Sequence, residues 1–189
     1  MENQQGTLTE GEIGWLAGII EGEGSITMNV RKKTWKGWSG IGVDLTVCVS
    51  NTDALILEKV ADLLRRISGH EPYINEFKKS PVYKADGTVY MNPKTSILNI
   101  SVGKMGAILS VLSAIEPHMA GEKSARARLM MDFIRRRMER KTENTKTGVA
   151  AYDKYDWRTV GEFYKLKDKP IPPEVLGLLN EQERSRLAG

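Results

Sequence analysis

The sequence predicts an α+β fold, a sheet backed by helices on one side. Two observations carry this. Apolar residues recur at helical spacing in some segments and alternate strictly with polar residues in others, in the order helix, two strands, helix, two strands, two helices. The alternating segments also carry polar faces with little to bury, so one side of the sheet is left uncovered and free to bind something.

Each element has its own signal. Thr9-Glu10-Gly11-Glu12 reads as a capping box, so a helix starts near Glu10 and runs through Trp15, Leu16, Ile19 and Ile20 to the Gly22-Glu23-Gly24 punctuation. Residues 25–31 form a half-buried strand, with Ile26, Met28 and Val30 facing inward and Ser25, Thr27, Asn29 and Arg31 outward. A second strand turns Ile41, Val43, Leu45, Val47 and Val49 inward and Asp44, Thr46, Cys48 and Ser50 outward, with the turn between the two over residues 34–40. Asn51 or Thr52 caps a helix whose apolar positions are Leu55, Ile56, Val60, Leu63, Leu64 and Ile67 and which ends before Ser68-Gly69. A weaker strand covers residues 73–78. Leu98, Ile100 and Val102, alternating with Asn99 and Ser101, form the fourth. A short helix over 105–114 stops before Glu116-Pro117, and a longer basic helix spans 121–140 with Met130 and Met131 in the core. Residues 1–141 are expected to be the core unit. Residues 142–189 are expected to be a polar linker with a helical extension, its helices at 155–166 and 173–187, the last opened by Pro172-Pro173.

Composition narrows the function classes. The 189 residues, 40% of them hydrophobic, can fill a core, and the single cysteine, Cys48, excludes a disulfide framework or a paired-thiol metal site. A polar N-terminus and the lack of a long apolar run predict an intracellular protein without a membrane span, in a prokaryotic or phage-host cytoplasm or an organelle. Lys and Arg total 28 against 24 Asp and Glu, a small excess concentrated in two places. Residues 28–40 hold Arg31, Lys32, Lys33 and Lys36 with no acid, and within them the Arg31 to Trp38 segment, its lysines interleaved with Trp35 and Trp38, suits a mobile arm gripping phosphates. Residues 122–141 hold eight basic and three acidic residues, among them Arg135-Arg136-Arg137, read as a solvated helix end and at best a secondary phosphate contact. His70 and His118 are isolated and suggest no metal site.

The first helix contains a physical oddity. Gly14, Gly18 and Gly22 lie four apart on one face, and each costs a helix interior about 0.8–1 kcal/mol relative to alanine. Close approach of a second helix accounts for them. Self-pairing along this stripe would bring two copies of Glu23 together near a symmetry axis. A divalent cation relieves their repulsion, and Mg²⁺ takes carboxylate, carbonyl, water and phosphate oxygens as ligands.

The segment Leu16-Ala17-Gly18-Ile19-Ile20-Glu21-Gly22-Glu23-Gly24 resembles the nine-residue motif of the LAGLIDADG homing endonucleases, identical at five of nine positions. The strand pair, the Leu45–Asn51 strand end with its helix, and the Val102-Gly103-Lys104 junction follow in family order, over residues 9–140. The resemblance implies an αββαββα saddle whose antiparallel sheet lies along the DNA major groove, and a homodimer reading a pseudo-palindromic target. It also implies Mg²⁺- or Mn²⁺-dependent hydrolysis of both strands with 3′ overhangs, on double-stranded DNA and not on a small molecule.

Carried onto this chain, Glu23 and the Gly22 carbonyl hold the metal, Lys104 is the basic residue near the scissile phosphate, and Gly14, Gly18, Glu21 and Gly22 form the dimer interface. The expected DNA contacts are Ser25, Thr27, Asn29, Arg31, Lys33, Lys36, Asp44, Thr46, Cys48, Ser50, Asn51, Lys78 and Lys79. Two positions depart from the family: Glu23 stands where Asp is usual, and Cys48 aligns with a solvent-orienting glutamine of some relatives, leaving Ser50 and Asn51 as its replacements. The rival readings on the same fold are an intron-encoded RNA maturase and a non-cleaving DNA-binding regulator.

Overall fold

The computed structural model of the chain describes residues 8–35, 38–77, 82–84, 86, 88–91, 97–140 and 151–179; Lys36, Lys78, Lys79, the linker 142–150 and everything from 180 onward lie outside them. The elements in order are α1 (Glu10–Gly22), β1 (Gly24–Trp35), β2 (Trp38–Asn51), α2 (Ala54–Ser68), β3 (Tyr73–Phe77), β4 (Val82–Tyr83), β5 (Val89–Met91), β6 (Ile97–Val102), α3 (Met105–Ile115), a 3₁₀ turn (Glu116–His118), α4 (Gly121–Glu139), α5 (Lys154–Leu166) and α6 (Pro173–Leu178). The main sheet has the order β1-β2-β6-β3 and every pair in it is antiparallel, while β4 and β5 form a separate two-stranded hairpin. The α+β prediction therefore holds.

The alternation read from sequence decides which face is covered. Ile26, Met28, Leu45, Val47, Val49, Ile100 and Val102 are buried beneath the helices. They share one core with Leu16, Ala17 and Ile20 of α1, Leu57, Val60, Leu63 and Leu64 of α2, Ile108, Val111 and Leu112 of α3, and Met130, Met131 and Ile134 of α4. Trp157, Val160, Phe163 and Val175 of the C-terminal helices join that core. Fully burying such a side chain is worth roughly 1.5–3 kcal/mol, so the one-sided pattern fixes the register.

Local chemistry sets the helix ends. The Thr9 hydroxyl accepts from the Glu12 amide while the Glu12 carboxylate accepts from the Thr9 amide at 2.8 Å, the expected capping box. Glu12 also binds Arg66 at 2.6 Å, tying α1 to the end of α2. The Arg66 hydrogen bond and the Thr9 amide hold the Glu12 carboxyl well below its usual range, at about 2. At the far end of α2, Gly69 takes φ +68°, the left-handed conformation that lets a helix stop sharply.

Several expectations need correction. The two strands extend to Trp35 and back to Trp38, so the strand expected to end at Arg31 also takes in Lys32, Lys33 and Thr34, and these belong to paired strand rather than to a turn or a mobile arm. The cap of α2 is Asp53, whose side chain accepts from the amides of Leu55 and Ile56; Asn51 instead accepts from the Asp53 amide at 2.9 Å. Leu55 is 75% exposed because it falls on the opposite side of α2 from Leu57, Val60 and Leu64. The final helix ends at Leu178, where Leu179 turns extended, and the rest of the expected 173–187 span lies outside the described residues. The β4–β5 hairpin, two and three residues long, was not expected at all.

Candidate nucleic-acid interface and metal site

The uncovered sheet face is built in rows set by the strand register. Ser25, Cys48, Ser101 and Tyr73 form one row, and Ser50, Asn99 and Asn75 another. Asn99 donates to the Ser50 hydroxyl at 2.7 Å. Beyond β6 the face continues on β1 and β2 alone, with Thr27 opposite Thr46, Asn29 opposite Asp44 and Arg31 opposite Gly42. The face ends in an ionic group: Arg31 lies 3.3 Å and Lys33 2.6 Å from the two oxygens of Asp44. Lys33 reaches Asp44 by lying across Gly42, where an added Cβ would stand 2.8 Å from its side chain. Ser25, Thr27, Asn29, Arg31, Asp44, Thr46, Cys48 and Ser50 thus share one accessible polar surface. Sequence reasoning missed β3's share of it: Tyr73 and Phe77 are 58% and 56% exposed on the same face, and period-2 alternation could have put them there.

At one end of this face α1 stops. Glu23 is its C-cap residue, exposed and, among the described residues, without an ion-pair or hydrogen-bond partner for its carboxylate. That position lies against the negative end of the helix dipole, and the last turn of α1 holds no basic residue. Gly24 turns the chain into β1 so tightly that a Cβ would sit 2.7 Å from the Ile20 backbone and 3.1 Å from the Cys48 carbonyl, which explains the last glycine of the motif. Lys123 then reaches in from α4, its ammonium donating to the carbonyls of Ile20 at 3.2 Å, Glu21 at 2.5 Å and Gly24 at 2.8 Å. These flank but do not include the Gly22 carbonyl. Lys123 was not singled out from sequence, although a lysine in the first turn of a helix is misplaced against the dipole and so signals a tertiary role.

An exposed carboxylate beside a main-chain carbonyl is the hard-oxygen donor set that Mg²⁺ takes. Among the described residues no group of three or more His, Cys, Asp or Glu side chains converges on a point, so the donors fit part of a site. The remaining expected residues are scattered. The Glu21 carboxylate accepts from the Ala120 amide at 3.0 Å, a contact inside the chain. Lys104 is the exposed N-cap residue of α3 and makes no side-chain cap. It lies beyond Val102, whose β2 partner Val47 pairs in turn with Ile26 of β1. Around the glycine stripe the space is open: a Cβ on Gly14, Gly18 or Gly22 would meet nothing within 4 Å.

The second basic stretch is solvated only in part: Arg135 is exposed, as expected, whereas Arg136, Arg137 and Arg140 are tied to carboxylates beyond the linker. Arg137, only 4% exposed, lies 3.2 Å from Asp156, and Arg140 reaches the same carboxylate at 3.0 Å. Arg136 binds Asp153 at 2.7 Å. Burial raises the Asp153 pKa, but the Arg136 hydrogen bond, the Asp156 amide and the nearby arginine charges outweigh it, and its carboxyl is held below the usual range. This end of α4 is bound to the segment leading into α5.

Solved structures match this arrangement along most of the chain. The homing endonuclease I-CvuI, crystallised with the I-CreI DNA target, has a TM-score of 0.50 at 18% identity over 94% of this chain and 95% of its own. The LAGLIDADG meganuclease I-AabMI, bound to uncleaved DNA, has a TM-score of 0.53 at 13% identity over 94% of this chain. The fold is that of the LAGLIDADG homing endonucleases. The LAGLIDADG endonuclease I-SmaMI, bound to cleaved DNA, likewise reaches 0.50 at 18% identity over 97% of this chain. The chain spans 95% of I-CvuI but 49% of each of I-AabMI and I-SmaMI. No protein-family model and no curated protein matches the sequence. Among the described residues no helix is long and apolar enough to cross a membrane.

Proposed function

We propose that this LAGLIDADG fold is a site-specific DNA endonuclease, active as a homodimer with a divalent metal. The observation that carries the reading is the coincidence of an open polar sheet face with a carboxylate at its end that has no partner among the described residues. Asn29, Arg31, Asp44 and Thr46 offer donors and acceptors of mixed type, which distinguish base edges in a major groove, whereas Lys33 offers charge to phosphates. Glu23 and the Gly22 carbonyl would hold Mg²⁺ or Mn²⁺. When bound, the metal supplies neutralising charge and an activated water for in-line displacement at phosphorus. Lys104 would stand by the scissile phosphate. The neighbours' DNA complexes support the DNA-binding part of this reading; I-SmaMI was crystallised on cleaved DNA, whereas the DNA held by I-CvuI in 2 mM Mg is uncleaved.

Pairing follows from α1. Its run from Ile13 to Ile20 holds no charged residue, and a helix apolar on all sides needs covering on all sides. One side is covered by the core; the other is the open glycine stripe. A second copy there would bring in the second Glu23 and complete the donor set. Residues 1–141 would form this catalytic core, and 142–189 its extension.

The test is selection from a randomised duplex library. The protein should enrich a two-fold symmetric sequence and cut it in both strands with Mg²⁺ but not with EDTA. Retention of structured RNA with no duplex selected would put the maturase reading in its place. Gly18→Leu should abolish dimerisation in sedimentation, because the side chain separates helices that must nearly touch; a normal dimer of this variant would move the interface elsewhere.

A further inference from the structure

Past the end of β6, β1 and β2 continue as a ribbon with no third strand among the described residues. β6 pairs with β2 only as far as Val47, and β1 is the sheet's edge. A two-stranded ribbon is marginal by itself and its twist is poorly fixed. Yet this ribbon carries Asn29, Arg31, Asp44 and Thr46, whose use in base reading needs a defined position.

The C-terminal segment holds both edges of the ribbon at one level. Val30 and Val43 face each other across the strands, and the amide of each points away from its partner. The Val43 amide donates to the Tyr152 hydroxyl at 3.2 Å, and the Val30 amide donates to the Tyr164 hydroxyl at 3.5 Å. The two tyrosines come from opposite ends of one element, Tyr152 just ahead of α5 and Tyr164 in its last turn. Tyr152 is itself fixed: its ring lies 4.9 Å from that of Trp157, and the Arg137 guanidinium stands 4.1 Å over it. Asp153, next to it, begins α5 with a capping box and takes Arg136. In register, the clamped pair is followed at once by Asn29 opposite Asp44 on one side and Arg31 opposite Gly42 on the other.

We propose that Tyr152 and Tyr164 are positioning residues that set the twist and angle of the β1–β2 ribbon, and that through them residues 151–179 contribute to DNA sequence specificity without touching a base. This rests on the proposed reading of the open face as the DNA-contacting surface. The ion network between α4 and Asp153 and Asp156 is then the anchorage of the clamp.

The test is the double variant Tyr152→Phe, Tyr164→Phe in the full chain, which keeps both rings in the core and removes only the hydroxyls. Amide hydrogen exchange followed by NMR should show Val30 and Val43 exchanging roughly two- to tenfold faster, the range set by losing one net hydrogen bond each, with Val49 and Ile100 unchanged. Unchanged exchange at Val30 and Val43 would overturn the clamp. Selection from a randomised duplex pool should then show base preference relaxed at the positions that Asn29→Ala also relaxes. If Asn29→Ala relaxes the preference and the tyrosine variant does not, the clamp does not set specificity. If neither does, the reading of the open face fails instead.

Discussion

In the β1–β2 ribbon, Arg31 and Lys33 converge on Asp44 with 66% and 46% of their side-chain surface in solvent. In α4, Arg137 and Arg140 converge on Asp156 with 4% and 29% exposed, and Asp156 itself has 0%. The two groups look alike in sequence, basic runs of similar density. What separates them is the dielectric around the shared carboxylate. An exposed pair is worth at most about 1 kcal/mol and exchanges readily for a phosphate. A buried pair has already lost its hydration, so removing one partner strands the other. Charge density therefore does not by itself mark a nucleic-acid surface; the exposure of the counter-charges is what separates the two runs.

The contrast can be broken at either end. Arg137→Ala should cost about 3 kcal/mol, the low end of the range for breaking a buried pair because Arg140 still reaches the same oxygen of Asp156. Urea unfolding would report it, and DNA affinity per folded molecule should change little. A stable Arg137→Ala protein with weakened DNA binding would turn the comparison round. Asn29→Ala, in the ribbon, should leave the urea midpoint unmoved and lower discrimination at one symmetric pair of base positions by about 1–3 kcal/mol, read from a library profile. Lys33→Ala should have the smallest effect. It weakens binding to all sequences alike and flattens the salt dependence by roughly one phosphate contact per subunit, partly offset because Asp44 loses a partner in the free protein. A base-specific effect at Lys33 would mean that the ribbon is docked differently.

Much of this was legible in the chain itself because the signals are local. The Thr9–Glu12 box, the alternation of Ile26 and Met28 with Thr27 and Asn29, and the spacing of Gly14, Gly18 and Gly22 each lie within one element. The employment of the α4 arginines was not legible, because Asp153 and Asp156 lie beyond a linker and a solvated run reads the same as a buried one. Nor were the tyrosine contacts, which join residues 109 and 134 positions apart. Leu55 misled because its type was counted without its angle around the helix. Lys123 was hidden among other basic residues, and only its misplacement at a helix start set it apart.

Whether the Glu23 carboxylate, which has no partner among the described residues, turns the proposed binding surface into a nuclease is decided by Glu23→Gln. The amide keeps the size and loses the charge that attracts a divalent cation. On a duplex selected by the wild-type protein, with Mg²⁺ present, the variant should bind with near wild-type affinity and leave both strands intact. Cutting by Glu23→Gln at a rate near that of the wild type would remove Glu23 from the chemistry and contradict the account.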